Sequence, residues 1–485
     1  MQDYVILINL DDAVSRTMAR RLRAEHIYCR IMPASVPVDL LLQLDVRGIL
    51  VAAASTGVQA EIPHLQDYIQ CGLPVLCMGD SALTLCEVLG GTLSDLPMPG
   101  GVEQVQFDHT SPLFNELEDG ERYLHAFRYM SIPQDQALPA AVTENGMLGF
   151  RVQQRNVWGL ALQLERNDPG GTQLLVNFCK NVCGCTTWWS QQGFIDRAKE
   201  QIAQAAGDGN AICALSGGVD SGVCALLGHM ALGSRLHCFF VDTGLLRKGE
   251  AAQVMDFYST QAGLDLRKVD ASEEFLAALS GVSDPKEKER IIFQLLREVL
   301  RREAAQIPNV RLMLQGTNYS DVLSGSAYPL ELPSEEVRVV EPVRELFKDE
   351  VRHIGEELGM SPAMLLRQSF PGSGLASRIL SDVTKEKLNI VREADAIFRY
   401  EISENNQHKR LWQYFAALAD EPEGDGYVVT LRAVQSVDGA GGMAARLPND
   451  LLERVTLEIL ARCPQVRRVM FDLTPSKSYK QIDPR

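Results

Sequence analysis

The sequence lacks the features of a membrane protein and of a secreted one. No uninterrupted apolar run in its 485 residues reaches about 18 residues, the length that a bilayer span requires. The N-terminus, Met1-Gln2-Asp3-Tyr4, has no basic segment and no cleavage site, so it does not resemble a signal peptide. Its apolar continuation predicts a buried first strand instead. We therefore expect no membrane association and a cytoplasmic location.

Positive charge is scarce, and the cysteines are not arranged as a scaffold. The 47 Lys and Arg against 63 Asp and Glu give a net charge of −16, which argues against an extended nucleic-acid surface. The 11 cysteines are an odd number in a long chain, as expected for reduced thiols. Cys179, Cys183 and Cys185 lack a nearby fourth ligand for zinc, so we interpret them as structural residues.

The composition is that of a globular protein, with 46% hydrophobic and 23% charged residues. At roughly 150 residues per domain, the length predicts about three domains. Short apolar runs at 4–10, 48–54 and 74–79 alternate with helical stretches, which favours a parallel sheet. Residues 147–165 predict later strands of the same domain, and 182–189 predict a linker.

A second alternation of strands and helices begins at Ala211, and a third part begins near Ile379. The charge runs at 284–304 follow a helical pattern and predict a solvated face. Together these patterns predict an α/β protein. The predicted elements are strands at 211–215, 235–242, 310–317, 427–434 and 467–474, and helices at 221–232, at 383–402 and from Pro448-Asn449 onward.

The strongest chemical signal is Ser216-Gly217-Gly218-Val219-Asp220-Ser221, between a predicted strand and a predicted helix. Glycines let a backbone approach a phosphate closely, and a helix N-terminus offers free N–H groups. The two serines add hydroxyl donors. A Walker loop would end in Gly-Lys-Ser/Thr, and this loop has no lysine. The pattern therefore predicts a phosphate-binding loop of another kind.

This loop resembles the pyrophosphate-binding loop of the N-type ATP pyrophosphatases, and the motifs around it resemble the GMP synthetase family. The N-terminal part is similar to that family's class I glutaminase domain, so the resemblance covers the whole chain. The motifs are FVDTGLLRKGE (240–250), SDPKEKERII (283–292), LQGTNYSDV (314–322), VEPVRELFKDEVRHIGEELG (340–359), FPGSGLASRIL (370–380), READAIF (392–398) and VVTLRAV (428–434).

The resemblance implies three domains and a three-step reaction. A flavodoxin-like glutaminase-type domain (1–189) would release ammonia from glutamine. A domain resembling the adenine-nucleotide alpha-hydrolases (190–378) would use ATP and Mg²⁺ to adenylate the 2-oxygen of xanthosine monophosphate, releasing pyrophosphate. Ammonia would then displace AMP to give GMP. A small α+β domain (379–485) would form a homodimer and help to bind the nucleotide.

The same resemblance implies roles for individual residues. Asp220, Asp242 and Lys348 are the catalytic candidates, and Asp220 is also the candidate ligand for Mg²⁺. The residues implied in ATP binding are Ser216, Gly217, Gly218, Val219, Asp220, Ser221, Val241, Gly316 and Thr317, and those implied in binding the acceptor nucleotide are Arg344, Arg378, Lys477 and Asp483.

The glutaminase site departs from the family pattern at several positions at once. Gly79 stands where the family has its nucleophilic cysteine, and Gln163 stands where it has the general base. Of the triad only Glu165 remains, and the family's oxyanion segment has become Ala52-Ala53-Ala54-Ser55. We predict that this domain does not hydrolyse glutamine.

Two nearby cysteines do not restore the lost nucleophile. Cys77 should lie in the strand before the elbow and Cys86 in the helix after it, and neither has a positioned histidine. We interpret both as small buried apolar residues.

The acceptor side departs as well. The segment 323–339 has neither the lysine nor the histidines of the family, and Gln368 replaces a histidine. The segments after Asp438 and at 477–485 also differ from the family pattern. Because a buried hydrogen-bonding site rejects the wrong partner strongly, these changes leave the identity of the acceptor open.

Three functions therefore remain open. The first is an ammonia-dependent ligase acting on xanthosine monophosphate, with ammonia taken from solution or from a separate glutaminase. The second is a related ligase that adenylates another purine-like or heteroaromatic acceptor for attack by a nitrogen or sulfur nucleophile. The third is a non-catalytic ATP-binding or regulatory protein. The net charge and the third domain argue against a tRNA-modifying enzyme.

Overall fold

A computed structural model of the chain gives two compact units, Met1–Phe194 and Ile195–Arg485. Four of the predicted site residues, Gln163, Glu165, Lys477 and Asp483, lie outside the described residues, as do most of 323–339 and the positions directly after Asp438. The structure describes residues 3–54, 56, 60–95, 102–123, 128–162, 169–323, 337–365, 367–368, 370–422, 424–435 and 442–475.

The first unit is built on a mixed sheet of eleven strands. Its elements are β1 Tyr4–Asn9, α1 Asp12–Ala24, β2 Cys29–Pro33, α2 Val38–Leu42, β3 Val46–Ala52, α3 Leu65–Gln70, β4 Val75–Met78, α4 Asp80–Val88, β5 Thr92–Asp95, β6 Val102–Phe107, β7 Gly120–Tyr123, β8 Arg128–Ser131, β9 Ala137–Val142, β10 Met147–Val152, β11 Val157–Leu160 and α5 Pro169–Asn177, followed by a π-helical turn at Phe178–Val182.

One half of this sheet is parallel and the other antiparallel. Strands β2, β1, β3, β4 and β11 run parallel in that order, and β10, β9, β6 and β7 continue the sheet antiparallel, with β8 and β5 joined through β10. The central parallel strands are mostly apolar because both of their faces are covered, as in β4, whose four residues are all buried.

The segment 182–189, predicted to be a linker, is tied into the first unit. The Thr186 N–H donates to Asp3 Oδ1 at 3.1 Å, and Trp188 Nε1 donates to the Asp3 carbonyl at 2.9 Å. The Trp189 ring stacks on Tyr28, with centroids 5.0 Å apart. The segment therefore packs on the first unit, because its aromatic residues supply apolar area and a ring N–H that binds the backbone at Asp3. Its role as a linker between domains stays a prediction.

The second unit contains a five-stranded parallel sheet and a four-stranded sheet. Its elements are α6 Gln191–Ala206, in whose first turn the two units meet in sequence, β12 Asn210–Ala214, α7 Val219–Leu232, β13 Leu236–Asp242, α8 Glu250–Met255, β14 Leu266–Asp270, α9 Ser272–Ala278, α10 Pro285–Ala304, β15 Val310–Leu314, α11 Tyr319–Leu323, β16 Arg338–Val340, α12 Lys348–Glu357, α13 Pro362–Leu365, α14 Lys385–Glu404, β17 Gln413–Asp420, β18 Tyr427–Gln435, β19 Met443–Ala444, α15 Asn449–Arg462 and β20 Val466–Phe471.

The parallel sheet has the order β14-β13-β12-β15-β16. The chain leaves β12 toward β13 on one side and later returns to β15 on the other side, so the strand order reverses at β12. In open parallel sheets a ligand binds at such a reversal, outside the carboxyl ends of the strands. The loop Ser216–Ser221 directly follows β12 and therefore lies at this point.

The four-stranded sheet pairs β17 with β18 antiparallel and β20 with β18 parallel. Helix α14 begins at the cap residue Thr384, whose hydroxyl accepts the N–H of Lys387 at 3.2 Å. One continuous apolar core contains Ile212 of the parallel sheet, Val391 of α14 and Val429 of β18. The predicted α/β architecture is confirmed, while the division of this unit at residue 378 stays a prediction.

None of the helices in the described part of the chain combines the length and the apolar character that crossing a bilayer requires.

Candidate functional site

The loop after β12 is organised by its two serines. Ser221 Oγ lies 3.0 Å from Ser216 Oγ, accepts the Ser216 N–H at 3.2 Å and donates to the Gly218 carbonyl at 3.1 Å. Helix α7 begins directly after Gly218. The loop is thereby closed into a small ring at a helix N-terminus, the arrangement that binds phosphate groups in many proteins.

Two glycines are required here by geometry. Gly217 has a φ of +78°, and a Cβ on it would lie 2.6 Å from Val254 Cγ2. Gly316, in the segment after β15, packs so closely on the loop that its Cβ would lie 2.6 Å from the Ser221 nitrogen. The predicted ATP-binding residues after β12 and after β15 are therefore brought together.

Asp220, in the first turn of α7, is paired with Lys348 at the start of α12. Lys348 Nζ donates to Asp220 Oδ2. The other carboxylate oxygen, Asp220 Oδ1, is buried and has no hydrogen-bond partner in the described part of the chain. Two of the predicted catalytic residues thus meet beside the loop, and one oxygen of the pair is left for a ligand.

Sequence reasoning missed a second cation at the loop. Arg367 Nη1 donates to the Gly217 carbonyl at 2.6 Å, and its Nη2 pairs with Glu250, in the first turn of α8. Burial lowers the pKa of Arg367 to about 10, and Arg247 and Arg399 act in the same direction. The sequence signal was that Arg367 aligns with an arginine of the family, directly before the histidine that Gln368 replaces.

Asp242, the last residue of β13, contacts residues outside the serine loop. Its Oδ2 lies 2.9 Å from Lys268 Nζ, and its Oδ1 accepts the Gly244 N–H at 3.1 Å. The hydrogen bond to Asp242 raises the pKa of Lys268, outweighing its slight desolvation. The adjacent Val241 is buried. Asp242 therefore shapes the loop after β13 at the carboxyl edge of the sheet.

The predicted residues Thr317 and Arg344 are joined through one carboxylate. Thr317 Oγ1 and Arg344 Nη1 both donate to Glu341, one to each oxygen. Thr317 is buried, whereas Arg344 is exposed over nearly half of its side chain. Arg344 can therefore contact a ligand from solvent without leaving this cluster.

Arg378, predicted to bind the acceptor, lies in the interior of the second unit. Its residue is 1% exposed, and its guanidinium carbon lies 3.5 Å from the centroid of the Phe415 ring. Burial lowers its pKa to about 9, against the opposing effect of Asp395. All three guanidinium nitrogens lack a hydrogen-bond partner within the described residues. Its role in acceptor binding stays a prediction.

The first unit carries an elbow between β4 and α4, with Gly79 at its apex. Gly79 has φ +62° and ψ −132°, a conformation that L-residues avoid. The N–H of Asp80, the residue after the apex, donates to the Ala54 carbonyl at 3.2 Å. In an acyl-transfer site this N–H would have to be available for an oxyanion.

The cysteines on either side of this elbow are buried. Cys77 lies in β4 and Cys86 in α4, as expected from the sequence, and both are 0% exposed. Burial raises the pKa of Cys77 to about 12 and that of Cys86 to about 11. Thiols with such pKa values carry almost no thiolate at neutral pH, so neither is an activated nucleophile.

No group of three or more His, Cys, Asp or Glu residues in the described ranges is arranged to hold a metal ion by protein ligands alone. The thiol of Cys183 occupies the space beside Gly48, where a Cβ would lie 2.3 Å from its sulfur.

The parallel sheet with a serine- and glycine-rich loop at its point of reversal, and no Walker lysine, defines the class of ATP pyrophosphatases. Comparison with known proteins narrows this class. Residues 400–482 match the family described as the GMP synthase C terminal domain.

The full chain has curated relatives of the same kind. It is 37% identical over 500 residues to the GMP synthase (glutamine-hydrolyzing) of Caldicellulosiruptor saccharolyticus, with 97% of this chain and 98% of that protein covered. It is 35% identical over 499 residues to the protein of that name from Clostridium botulinum, with 98% of each covered. The chain belongs to the GMP synthase family, and the predicted class of enzyme, an ATP-dependent carbon–nitrogen ligase, is confirmed.

Among solved structures, the NH3-dependent NAD synthetase from Campylobacter jejuni has 15% identity and a TM-score of 0.31, covering 45% of this chain and 86% of that one. A likeness at this level supports no conclusion about the chain.

Proposed function

We propose that this chain is an AMP-forming ligase that adenylates the 2-oxygen of xanthosine monophosphate and aminates it with ammonia that its own first unit does not make. The 2-oxygen would attack the α-phosphorus of ATP, and pyrophosphate would leave. Ammonia would then attack the purine C2, AMP would leave, and a proton would be lost to solvent, giving GMP.

The observation that carries this proposal is the closed serine loop with Lys348 and Asp220 beside it. Negative charge builds up on the departing pyrophosphate, and fixed N–H groups, hydroxyls and an ammonium group would stabilise it. The N–H groups would come from the first turn of α7, and Ser216 would supply a hydroxyl. The contacts of Ser221 within the loop hold these donors in place.

Asp220 fits the role of a magnesium ligand. Its Oδ1 is buried without a hydrogen-bond partner, and Mg²⁺ prefers one or two carboxylate oxygens together with the phosphates of its nucleotide. Bound Mg²⁺ would supply charge neutralisation on ATP. Lys348 holds the other oxygen and thereby fixes the direction in which Oδ1 points.

Two features of the first unit support the external source of ammonia. Gly79 has no side chain at the nucleophile position, and the N–H of Asp80 is already bonded to the Ala54 carbonyl. Without a nucleophile or a free oxyanion donor the elbow has no means of attacking the amide of glutamine. Ammonia would come from solution or from a separate glutaminase.

The test compares ammonium with glutamine as nitrogen donor, in the presence of Mg-ATP and xanthosine monophosphate. AMP, pyrophosphate, GMP and glutamate are all measured. We expect GMP with ammonium, and neither GMP nor glutamate with glutamine. Equal GMP formation from glutamine would contradict the proposal that the first unit is inactive.

A variant of Lys348, beside the serine loop, tests whether the reaction takes place there. Lys348→Met should lower the rate of pyrophosphate formation about 10²–10³-fold, the usual effect of removing one electrostatic stabiliser. Lys385→Met is the matched control, because Lys385 is 75% exposed and pairs only weakly with the exposed Glu273. If both variants kept the full rate, the proposed site would be wrong.

A different acceptor is the second candidate, and Gln368 favours it. Where the family has a histidine, the Gln368 carbonyl oxygen accepts from Arg399 Nη1 at 2.8 Å, and its buried amide nitrogen has no partner among the described residues. A buried unpaired donor selects for a ligand that can accept its hydrogen bond. Pyrophosphate release with other oxo-purines or heteroaromatic compounds, and none with xanthosine monophosphate, would support this candidate.

We further propose that the chain forms a homodimer through a domain that begins near Ile379. Large apolar side chains that are exposed collect in this part of the chain, as at a protein interface. They are Tyr400, Trp412, Met443, Leu457, Leu460, Met470 and Leu473.

A further inference from the structure

Lys288 is a buried lysine that the reaction described above does not use. It lies on α10 and is 1% exposed, although the surrounding sequence, PKEKER, is highly charged. Within the described residues it has no ion-pair partner. The charged groups nearest to it are Asp382, Lys387 and Asp284. Burying an ammonium group is costly unless other groups take up its hydrogen bonds.

Three backbone carbonyls take up those hydrogen bonds. Lys288 Nζ donates to Ile379 O at 2.7 Å, to Ser381 O at 2.5 Å and to Ala376 O at 3.5 Å. An ammonium group has three N–H donors, so the three carbonyls satisfy all of its hydrogen bonds. Because all three acceptors lie in one short stretch of chain, Lys288 fixes the path of that stretch rather than a single contact.

The stretch 374–381, which we call the junction segment, connects the two sheets of the second unit. At its start, the Leu375 N–H donates to Leu245 O at 2.8 Å, in the loop after Asp242. Near its end, the Leu380 N–H donates to Leu418 O at 2.8 Å, in β17. A change in the path of this segment would therefore shift the parallel sheet, which carries the serine loop, relative to the four-stranded sheet.

A second lysine holds the chain just beyond the junction segment. Lys387 Nζ donates to Ser381 Oγ at 2.9 Å and to Asp382 Oδ1 at 2.6 Å, and it lies 3.0 Å from Asp420 Oδ1. Lys288 therefore holds the backbone of Ser381 while Lys387 holds its side chain. The two lysines act on the same residue from two helices, α10 and α14.

We propose that Lys288 is a positioning residue, which sets the junction segment so that the acceptor bound by the C-terminal part meets ATP bound at the serine loop. This role rests on the proposed function. The loop itself does not depend on Lys288, because its contacts come from Ser216, Ser221, Arg367 and Lys348. Loss of Lys288 should therefore affect the acceptor more than ATP.

The experiment compares the full-length chain with Lys288→Met and, as a matched control, Lys286→Met, an exposed lysine two positions earlier on α10. Backbone hydrogen exchange is followed by mass spectrometry without substrates. Lys288→Met should raise exchange in the junction segment, while exchange in 216–232 and in the control stays at the wild-type level. Lys288→Gln, which keeps hydrogen-bond donors, is used where the methionine variant does not fold.

Steady-state kinetics with ammonium, Mg-ATP and xanthosine monophosphate then tests the positioning role. Lys288→Met should lower kcat/KM for the acceptor about 10- to 100-fold and leave the KM for ATP within about twofold, since misplacing a reactant costs this much in rate. Partial recovery in Lys288→Gln is expected.

Each failure has its own signature. Unchanged exchange in Lys288→Met would overturn the proposed hold on the junction segment. Raised exchange with both KM values and kcat unchanged would overturn the positioning role. A wild-type chain that makes no GMP would overturn the proposed function, and the exchange data would still report on the segment by themselves.

Discussion

Gly217 is the residue on which the serine loop depends most. Its φ of +78° and its contact with Arg367 leave no room for a Cβ, which would lie 2.8 Å from Nη1. We expect Gly217→Ala to cost roughly 1–3 kcal/mol of strain at the loop. At about 1.4 kcal/mol per factor of ten, the KM for ATP should rise about tenfold or more.

Gly207→Ala is the matched control for this prediction. Gly207 also has a positive φ, +53°, but nothing lies within 4 Å of its Cβ position. It should lose a comparable amount of stability and keep the wild-type KM for ATP. Both values come from pyrophosphate release and urea unfolding. Equal KM values for the two variants would show that ATP does not bind at Gly217.

Lys288 also predicts how the stability of the protein depends on pH. Desolvation lowers its pKa in the folded protein to about 8, below the value of 10.5 for a free lysine. Between these two pH values the unfolded chain binds more protons at this residue, so its contribution to the free energy of unfolding rises with pH.

Urea unfolding of the wild type and of Lys288→Met is measured between pH 7 and about 10.5. The difference between their free energies of unfolding gives the contribution of Lys288, because the buried thiols lower stability with rising pH equally in both proteins. The wild type should gain stability relative to the variant above about pH 8, the pKa to which burial lowers Lys288. A constant difference would mean that the lysine keeps an ordinary pKa.

At the residue scale, the sequence predicted side chains that lie within a recognisable motif. Ser216, Asp220 and Lys348 were found because their neighbours along the chain carry the pattern, and the structure brings them together. Arg367 and Lys288 were missed. Lys288 lies within the motif at 283–292, but the motif does not show what a residue contacts. The partners of these two residues, the Gly217 carbonyl and the junction segment, are far away in sequence.

The elbow of the first unit is the element on which the proposed lack of glutaminase activity rests. Gly79 at its apex has φ +62° and ψ −132°, and the N–H that follows it is bonded to the Ala54 carbonyl. We expect that Gly79→Cys, alone or with Gln163→His, will not hydrolyse glutamine. The residue restored at Gly79 would lack an oxyanion donor.

Glutamate release from glutamine, followed over a long incubation, measures this activity. Gly79→Ala controls for the effect of any side chain at the apex, which should cost roughly 1–3 kcal/mol in stability. Glutamate formed by the double variant and not by Gly79→Ala would show that the oxyanion position can open.

At the element scale, the predictions were good where a regular pattern ran without interruption. The helix predicted at 383–402 is α14, Lys385–Glu404, and the strand predicted at 427–434 is β18, Tyr427–Gln435. The solvated face predicted for 284–304 is only partly correct, because Lys288 and Glu303 in that run are buried. A charge pattern gives the period of a helix but does not show which charged side chain is buried and bonded in the protein interior.

The whole molecule should be a dimer through its C-terminal part. Leu457, which is 62% exposed on α15, is the test position. We expect Leu457→Glu to reduce the mass measured by light scattering from that of a dimer to 53.6 kDa, because a charge does not tolerate burial in an interface.

Leu138→Glu is the control for this measurement. Leu138 is 51% exposed on β9 of the first unit, and its substitution should leave the mass of the dimer unchanged. A wild-type chain of 53.6 kDa at all concentrations would contradict the proposal of a dimer.

At this scale the sequence was least informative. The motifs predicted a boundary near residue 378, which stays a prediction, but they did not reveal that buried apolar residues on both sides of that position share one core, from Ile212 to Val466. Shared burial is a property of distant pairs, such as Ile379 with Leu418, and a sequence read in one direction does not contain it.

The bond between the Asp80 N–H and the Ala54 carbonyl has a consequence for how the proposed enzyme would respond to its surroundings. A ligase that releases ammonia inside itself is insulated from the ammonia outside and governed by glutamine. With the elbow closed, the rate of GMP formation would follow the supply of free ammonia, and it would rise with pH as ammonium gives up its proton. One hydrogen bond in the first unit would thus make the rate at which the second unit forms GMP depend on the concentration of free ammonia in the cell.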